Sequence, residues 1–200
     1  MIDIVSLNID SGEEWKVKQC IIQSNSLQLG MRLEDVCRGI EEERIPRLSL
    51  GDEEVETVNS FLDAITLFSC FHEKKKKDYF FKEIIPLAYP LLKKYECNGI
   101  LFFVKSFLSN QSSEEYLPSV LSVLSVEDDF EWVTDAIVKL LKRYCLKGDI
   151  QASGLLTSCC NSKIIDLTAS EIESNLPYHD EVGTRMRRIP FPILARMLLV

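Results

Sequence analysis

The residues best able to do chemistry are seven cysteines, Cys20, Cys37, Cys70, Cys97, Cys145, Cys159 and Cys160, and two histidines, His72 and His179. A cysteine activated by a histidine makes a thiolate nucleophile, and a cluster of both types makes a metal site. The seven thiols form an odd set with no CxxC pair and no regular spacing, and most sit beside apolar residues, as in Cys20-Ile21-Ile22 and Ser69-Cys70-Phe71. That is the pattern of reduced core thiols in an intracellular protein. His179-Asp180-Glu181 offers three ligand types in a row, but neighbours in sequence rarely point at one ion. The sequence has no GxGxxG, GxxxxGK[ST], HExxH or GxSxG, so the phosphate loops, zinc helices and serine elbows built on those spacings are missing. No cofactor is expected.

The charged residues carry more information. Acids number 31 against 23 lysines and arginines, a formal charge of -8, which disfavours nucleic acid and anionic membranes and favours a cationic partner. Two acidic groups, Asp52, Glu53 and Glu56, and Glu127, Asp128, Asp129 and Glu131, precede or open apolar runs of helical period. Acids at a helix start complement its dipole, which is sufficient to explain them one group at a time. If the two helices are equivalent members of stacked hairpins, all seven acids form one ridge suited to a basic protein. The run Lys74 to Lys77 reads as the close of a helix, and Arg185, Arg187 and Arg188 fall in a loop before the C-terminal tail.

The elements that must carry these groups are mainly helical. Residues 2 to 9 alternate loosely and lead into the turn residues Asp10-Ser11-Gly12, which suits either a short hairpin or an irregular arm followed by a helix from Glu13. From residue 31 onward the period is helical and strand signals nearly vanish. Helices are predicted over about 52–72, 79–95 with bends at Pro86 and Pro90, 98–108, 113–124, 127–147, 149–160 and 164–176. The 98–108 helix is apolar all round and reads as central. In the 127–147 helix, the row Trp132, Ala136, Leu140 and Tyr144 lies beside the row Val133, Ile137, Leu141 and Cys145 to form a broad buried face. One domain is expected: an arm or hairpin over 1–30, a helical core over 31–176, and a loop and tail over 177–200.

The stretch Tyr116-Leu117-Pro118-Ser119-Val120-Leu121-Ser122-Val123-Leu124, with the acidic turn Glu127-Asp128-Asp129 and then Val133, Ala136 and Leu140, resembles a HEAT-type helical hairpin. Looser copies start at Ile84-Ile85-Pro86 and Ile45-Pro46, the prolines lying 40 and 32 residues apart against a repeat period of roughly 40. The resemblance covers about half the chain, and the basic residue that usually follows the Val of the second helix is missing. It implies antiparallel helical hairpins; an irregular helical bundle is the alternative.

Met1-Ile2-Asp3-Ile4 carries acid where a secretion signal needs base, and no apolar run approaches the roughly 20 residues of a membrane helix, so a cytoplasmic location is expected. The functional expectation is a non-catalytic protein-binding module, of the stoichiometric inhibitor or immunity type, that binds a basic protein through its acidic surface. The alternatives are an enzyme using a cysteine with His72 or His179, and an assembly scaffold.

Overall fold

In the computed structural model, which describes residues 3–39, 44–68, 74–147 and 181–199, the chain is mainly helical with a small three-stranded sheet. It divides into two compact units, residues 1–104 and 105–200.

The first unit opens with β1 (Ile4–Ile9) and β2 (Glu14–Lys18), an antiparallel hairpin. Its three-residue loop is closed by the Ile9 N–H donating to the Glu13 carbonyl, and Gly12 takes φ 102°, a left-handed position that glycine enters without a Cβ penalty. Helices α1 (Gln19–Asn25) and α2 (Leu27–Arg38) follow. The junction is fixed by Ser26, whose hydroxyl accepts from the Leu29 N–H and donates to the Tyr95 carbonyl at 2.6 Å. The chain then returns as β3 (Arg47–Gly51), parallel to β1, giving the order β2-β1-β3.

This third strand corrects the expectation that strands vanish after residue 31. Arg47-Leu48-Ser49-Leu50 alternates, but over too few residues to stand out, and what makes it a strand is a partner some 41 residues earlier. Val5, Leu7, Ile9, Leu48 and Leu50 are buried against the helices, whereas Glu14, Lys16, Lys18, Arg47 and Ser49 are exposed. The register slips after Asn8, so that the Asp10 N–H reaches the Gly51 carbonyl and bypasses Leu50.

Helix α3 (Val55–Phe68) buries Val58, Phe61, Ala64 and Ile65. Next come α4 (Lys74–Tyr79), a π-helical turn (Phe80–Ile84) and α5 (Ile85–Lys94), which packs against α3. The proline effect on this stretch is a widened turn: Ile85 N–H reaches back five residues to Phe80, just before Pro86, which has no N–H to offer Lys82. Pro90 lies inside α5. The helix ends with Cys97 N–H bonded to Leu92 and Glu96 N–H to Lys93, Glu96 standing at φ 53° where glycine is usual. Helix α6 (Asn98–Leu108) has the predicted limits, and the boundary between units falls within it. It is not apolar-buried all round: Ile100, Leu101 and Val104 are buried, but Phe102 is 75% exposed.

In the second unit a 3-10 turn (Glu114–Tyr116) leads into α7 (Leu117–Val126). The next helix, α8 (Asp135–Leu146), starts eight residues later than predicted. Residues 127–134 form a turn instead, in which Asp129 Oδ1 accepts the Glu131 N–H at 2.9 Å, the local bond by which aspartate competes with a helix. The buried face of α8 is Ile137, Val138, Leu140, Leu141 and Cys145, with Trp132, Ala136 and Tyr144 only partly covered. Residues assigned to a loop and tail form two helices, α9 (Glu181–Met186) and α10 (Phe191–Leu199), both packed on α8. The helices expected over 149–160 and 164–176 lie outside the described residues.

Candidate functional site

The seven acids divide between the units, three in the first and four in the second. Asp52 and Glu56 are exposed beside the start of α3, and Glu53 is ion-paired with Lys94. In the second unit Glu127 departs from the expected surface: it is 4% exposed, and its carboxylate lies 3.3 Å from Lys105 Nζ. Asp128, Asp129 and Glu131 are exposed, and none makes an ion pair within the described residues. They occupy the turn before α8 and not its first helical turn, so dipole complementation does not account for them. That turn is fixed at both ends. Glu127 anchors one side, and at the other the Thr134 hydroxyl donates to the Ser109 carbonyl at 2.7 Å.

The basic groups are mostly employed in the fold. Arg185 lies in α9, not in a loop, and donates to the carbonyls of Tyr144 and Lys147 at 3.2 and 2.5 Å, closing the C-terminal end of α8. Arg196 on α10 donates to the Val133 carbonyl and pairs with Asp135. Arg187 and Arg188 line a groove of about 510 Å³ with Leu121, Leu124 and Phe191. The run Lys74 to Lys77 lies in α4, and the residues that would join it to α3 fall outside the described residues; Lys77 Nζ stands 5.6 Å from the centroid of the Phe103 ring.

Of the thiols, Cys97 and Cys145 are buried, and burial pushes each up to about 12, where a thiolate nucleophile does not form at neutral pH. Cys20 and Cys37 are exposed. Both histidines, together with Cys70, Cys159 and Cys160, fall outside the described residues. Among the described residues no group of three or more His, Cys, Asp or Glu is placed to hold a metal ion, and no helix is long and apolar enough to cross a membrane.

The feature that sequence reasoning missed is a groove of about 620 Å³ in the first unit, between β2 and α3, lined by Trp15, Lys16, Val17, Lys18, Ile21, Asn59, Leu62, Asp63 and Thr66. The Trp15 indole N–H donates to Asn59 Oδ1 at 2.8 Å and ties the strand to the helix. The signal was the alternation Glu14-Trp15-Lys16-Val17-Lys18 after Asp10-Ser11-Gly12, read for topology and not for what its free side could bind. No protein-family model, curated protein or solved structure matches the chain.

Proposed function

We propose that this protein is a non-catalytic binding module that recognises a basic protein through an acidic surface, as a stoichiometric inhibitor or immunity-type protein does, and that it works in the cytoplasm without a cofactor. The observation that carries this reading is the turn over residues 127–134. Three carboxylates, Asp128, Asp129 and Glu131, are exposed and without ion pairs among the described residues, on a chain whose net charge is already -8. The same turn is held by the buried Glu127–Lys105 pair and by the Thr134–Ser109 hydrogen bond. Fixed, uncompensated charge of one sign costs little to reorganise on binding and steers an oppositely charged partner. In this reading α7 and α8 form a HEAT-type hairpin with the acidic turn at its tip, and Asp52, Glu53 and Glu56 add a second acidic contact.

The test is affinity capture from source-cell extract, at low and high salt, with the wild-type chain and the D128K/E131K variant. Because both residues are exposed outside α8, and Asp129 keeps its bond to the residue 131 N–H, the reversal should leave the helical circular dichroism unchanged. The wild type should retain a basic protein in one-to-one amount and release it as salt rises, while the variant associates more slowly and retains far less. Equal retention by both, or no basic protein retained, overturns the proposal.

A further inference from the structure

The sheet has two edges, and they are finished differently. In the β1–β2 ladder the Ile9–Glu13 and Asp3–Gln19 pairs are hydrogen-bonded, so the intervening bonded pairs are Val5–Val17 and Leu7–Trp15. The backbone groups of Glu14 and Lys16, and the N–H of Lys18, therefore point away from the sheet. All three residues are exposed. At the opposite edge Arg32 on α2 covers the outward Ser49 carbonyl, donating to it at 2.6 Å.

Chemistry on the two faces of the open edge is also distinct. Lys16 and Lys18 stand on the polar face with no ion pair among the described residues, whereas Glu14 accepts a hydrogen bond from the Ser6 hydroxyl. On the helix side, Trp15 and Val17 border the groove whose far wall is Leu62 of α3. A strand laid along this edge would set alternate residues against two cations and the others over Trp15 and Val17, at the mouth of a groove in which Ile21 and Leu62 stand beside Asn59, Asp63 and Thr66. We infer that the β2 edge is a docking site for an extended segment of another protein in which acidic and apolar residues alternate, added as a fourth strand. Main-chain bonds supply the attachment, and the alternating side chains supply the selectivity. A second copy paired antiparallel about Lys16 sets Lys16 against Lys16 and Glu14 against Lys18, bringing two lysines and only one glutamate to the polar face, and is the less complementary occupant. The site lies in the first unit and is independent of the acidic turn.

The experiment uses the full chain carrying Trp132→Phe, so that Trp15 is the sole tryptophan; the Trp132 indole N–H has no acceptor among the described residues. A capped heptapeptide of alternating glutamate and valine is titrated against Trp15 fluorescence, with the lysine–valine peptide as its counterpart and amide exchange of Lys16 followed in parallel. The acidic peptide should give a saturable change, slow exchange at the Lys16 amide, and weaken with salt. Lys16→Pro should remain folded, because its N–H is outside the ladder, yet lose the peptide. The K16E/K18E variant should exchange preference to the lysine–valine peptide. Absence of a saturable change, equal binding of the two peptides, or undiminished binding by Lys16→Pro overturns the proposal. So does self-association of the chain alone that perturbs Trp15, which would make a second copy the occupant.

Discussion

Tyr95 joins three elements of the first unit, and replacing it by phenylalanine removes one oxygen while keeping the ring on Phe61, whose centroid lies 5.6 Å away. The residue is 1% exposed, and its hydroxyl donates to the Leu50 carbonyl, which the β1–β3 ladder skips at the register slip. Tyr95→Phe therefore deletes a bond and strands a buried acceptor. Loss of a neutral hydrogen bond with its partner left buried costs about 2 kcal/mol. With a urea dependence of roughly 1 to 3 kcal/mol per molar, the unfolding midpoint should fall by about 1 M. Trp15 fluorescence in the Trp132→Phe background reads the first unit. Burial also raises the Tyr95 phenol above its ordinary value. The folded chain thus keeps this proton after the unfolded chain has lost it. Its contribution is whole below about pH 10 and is lost as pH climbs from there through the folded value. The phenylalanine variant has no such loss, so the stability gap between the two proteins should narrow above pH 10. A change below about 0.5 kcal/mol at neutral pH, or a gap that widens in alkali, would refute the role given to this hydroxyl.

Two further outcomes are expected. Native-state alkylation followed by peptide mass spectrometry should modify Cys20 and Cys37 quickly and Cys97 and Cys145 only on unfolding, since burial lifts the latter pair to about 12; fast labelling of Cys97 or Cys145 would contradict the packing. Leu140→Ala, at a fully buried position of α8, should cost roughly 2 to 5 kcal/mol in equilibrium unfolding, and a loss under about 1 kcal/mol would mean that α8 packs through another face.

Helix α6 was legible to the residue because Gly99 and the apolar run mark it locally, whereas the β1–β2 hairpin was one of two readings, because its turn chemistry is local but so loose an alternation also suits an arm followed by a helix. The start of α8 was misread since Phe130, Trp132 and Val133 continue the apolar period through a segment that Asp129 diverts into a turn. Strand β3 depends on a distant partner, and the π-helical turn on how a proline is absorbed, neither of which periodicity reports. For the candidate surface, the exposure of Asp128, Asp129 and Glu131 agrees with their sequence context. The burial of Glu127 could not be read there, because its reason is Lys105, which the chain brings across from the end of α6.

Strand β1 is shared between a near neighbour and a far one, and this sets an order of assembly. Pairing Leu7 with Trp15 closes a short loop, whereas pairing Leu7 with Leu48 waits for the whole of α1 and α2. Loop-closure entropy alone makes the second contact about 1.4 kcal/mol more costly to nucleate. During synthesis β1 emerges with one side able to zip at once and the other bare until some forty more residues have left the ribosome. In that interval the nascent hairpin has two open sides, and only the one carrying Lys16 and Lys18 is guarded by charge.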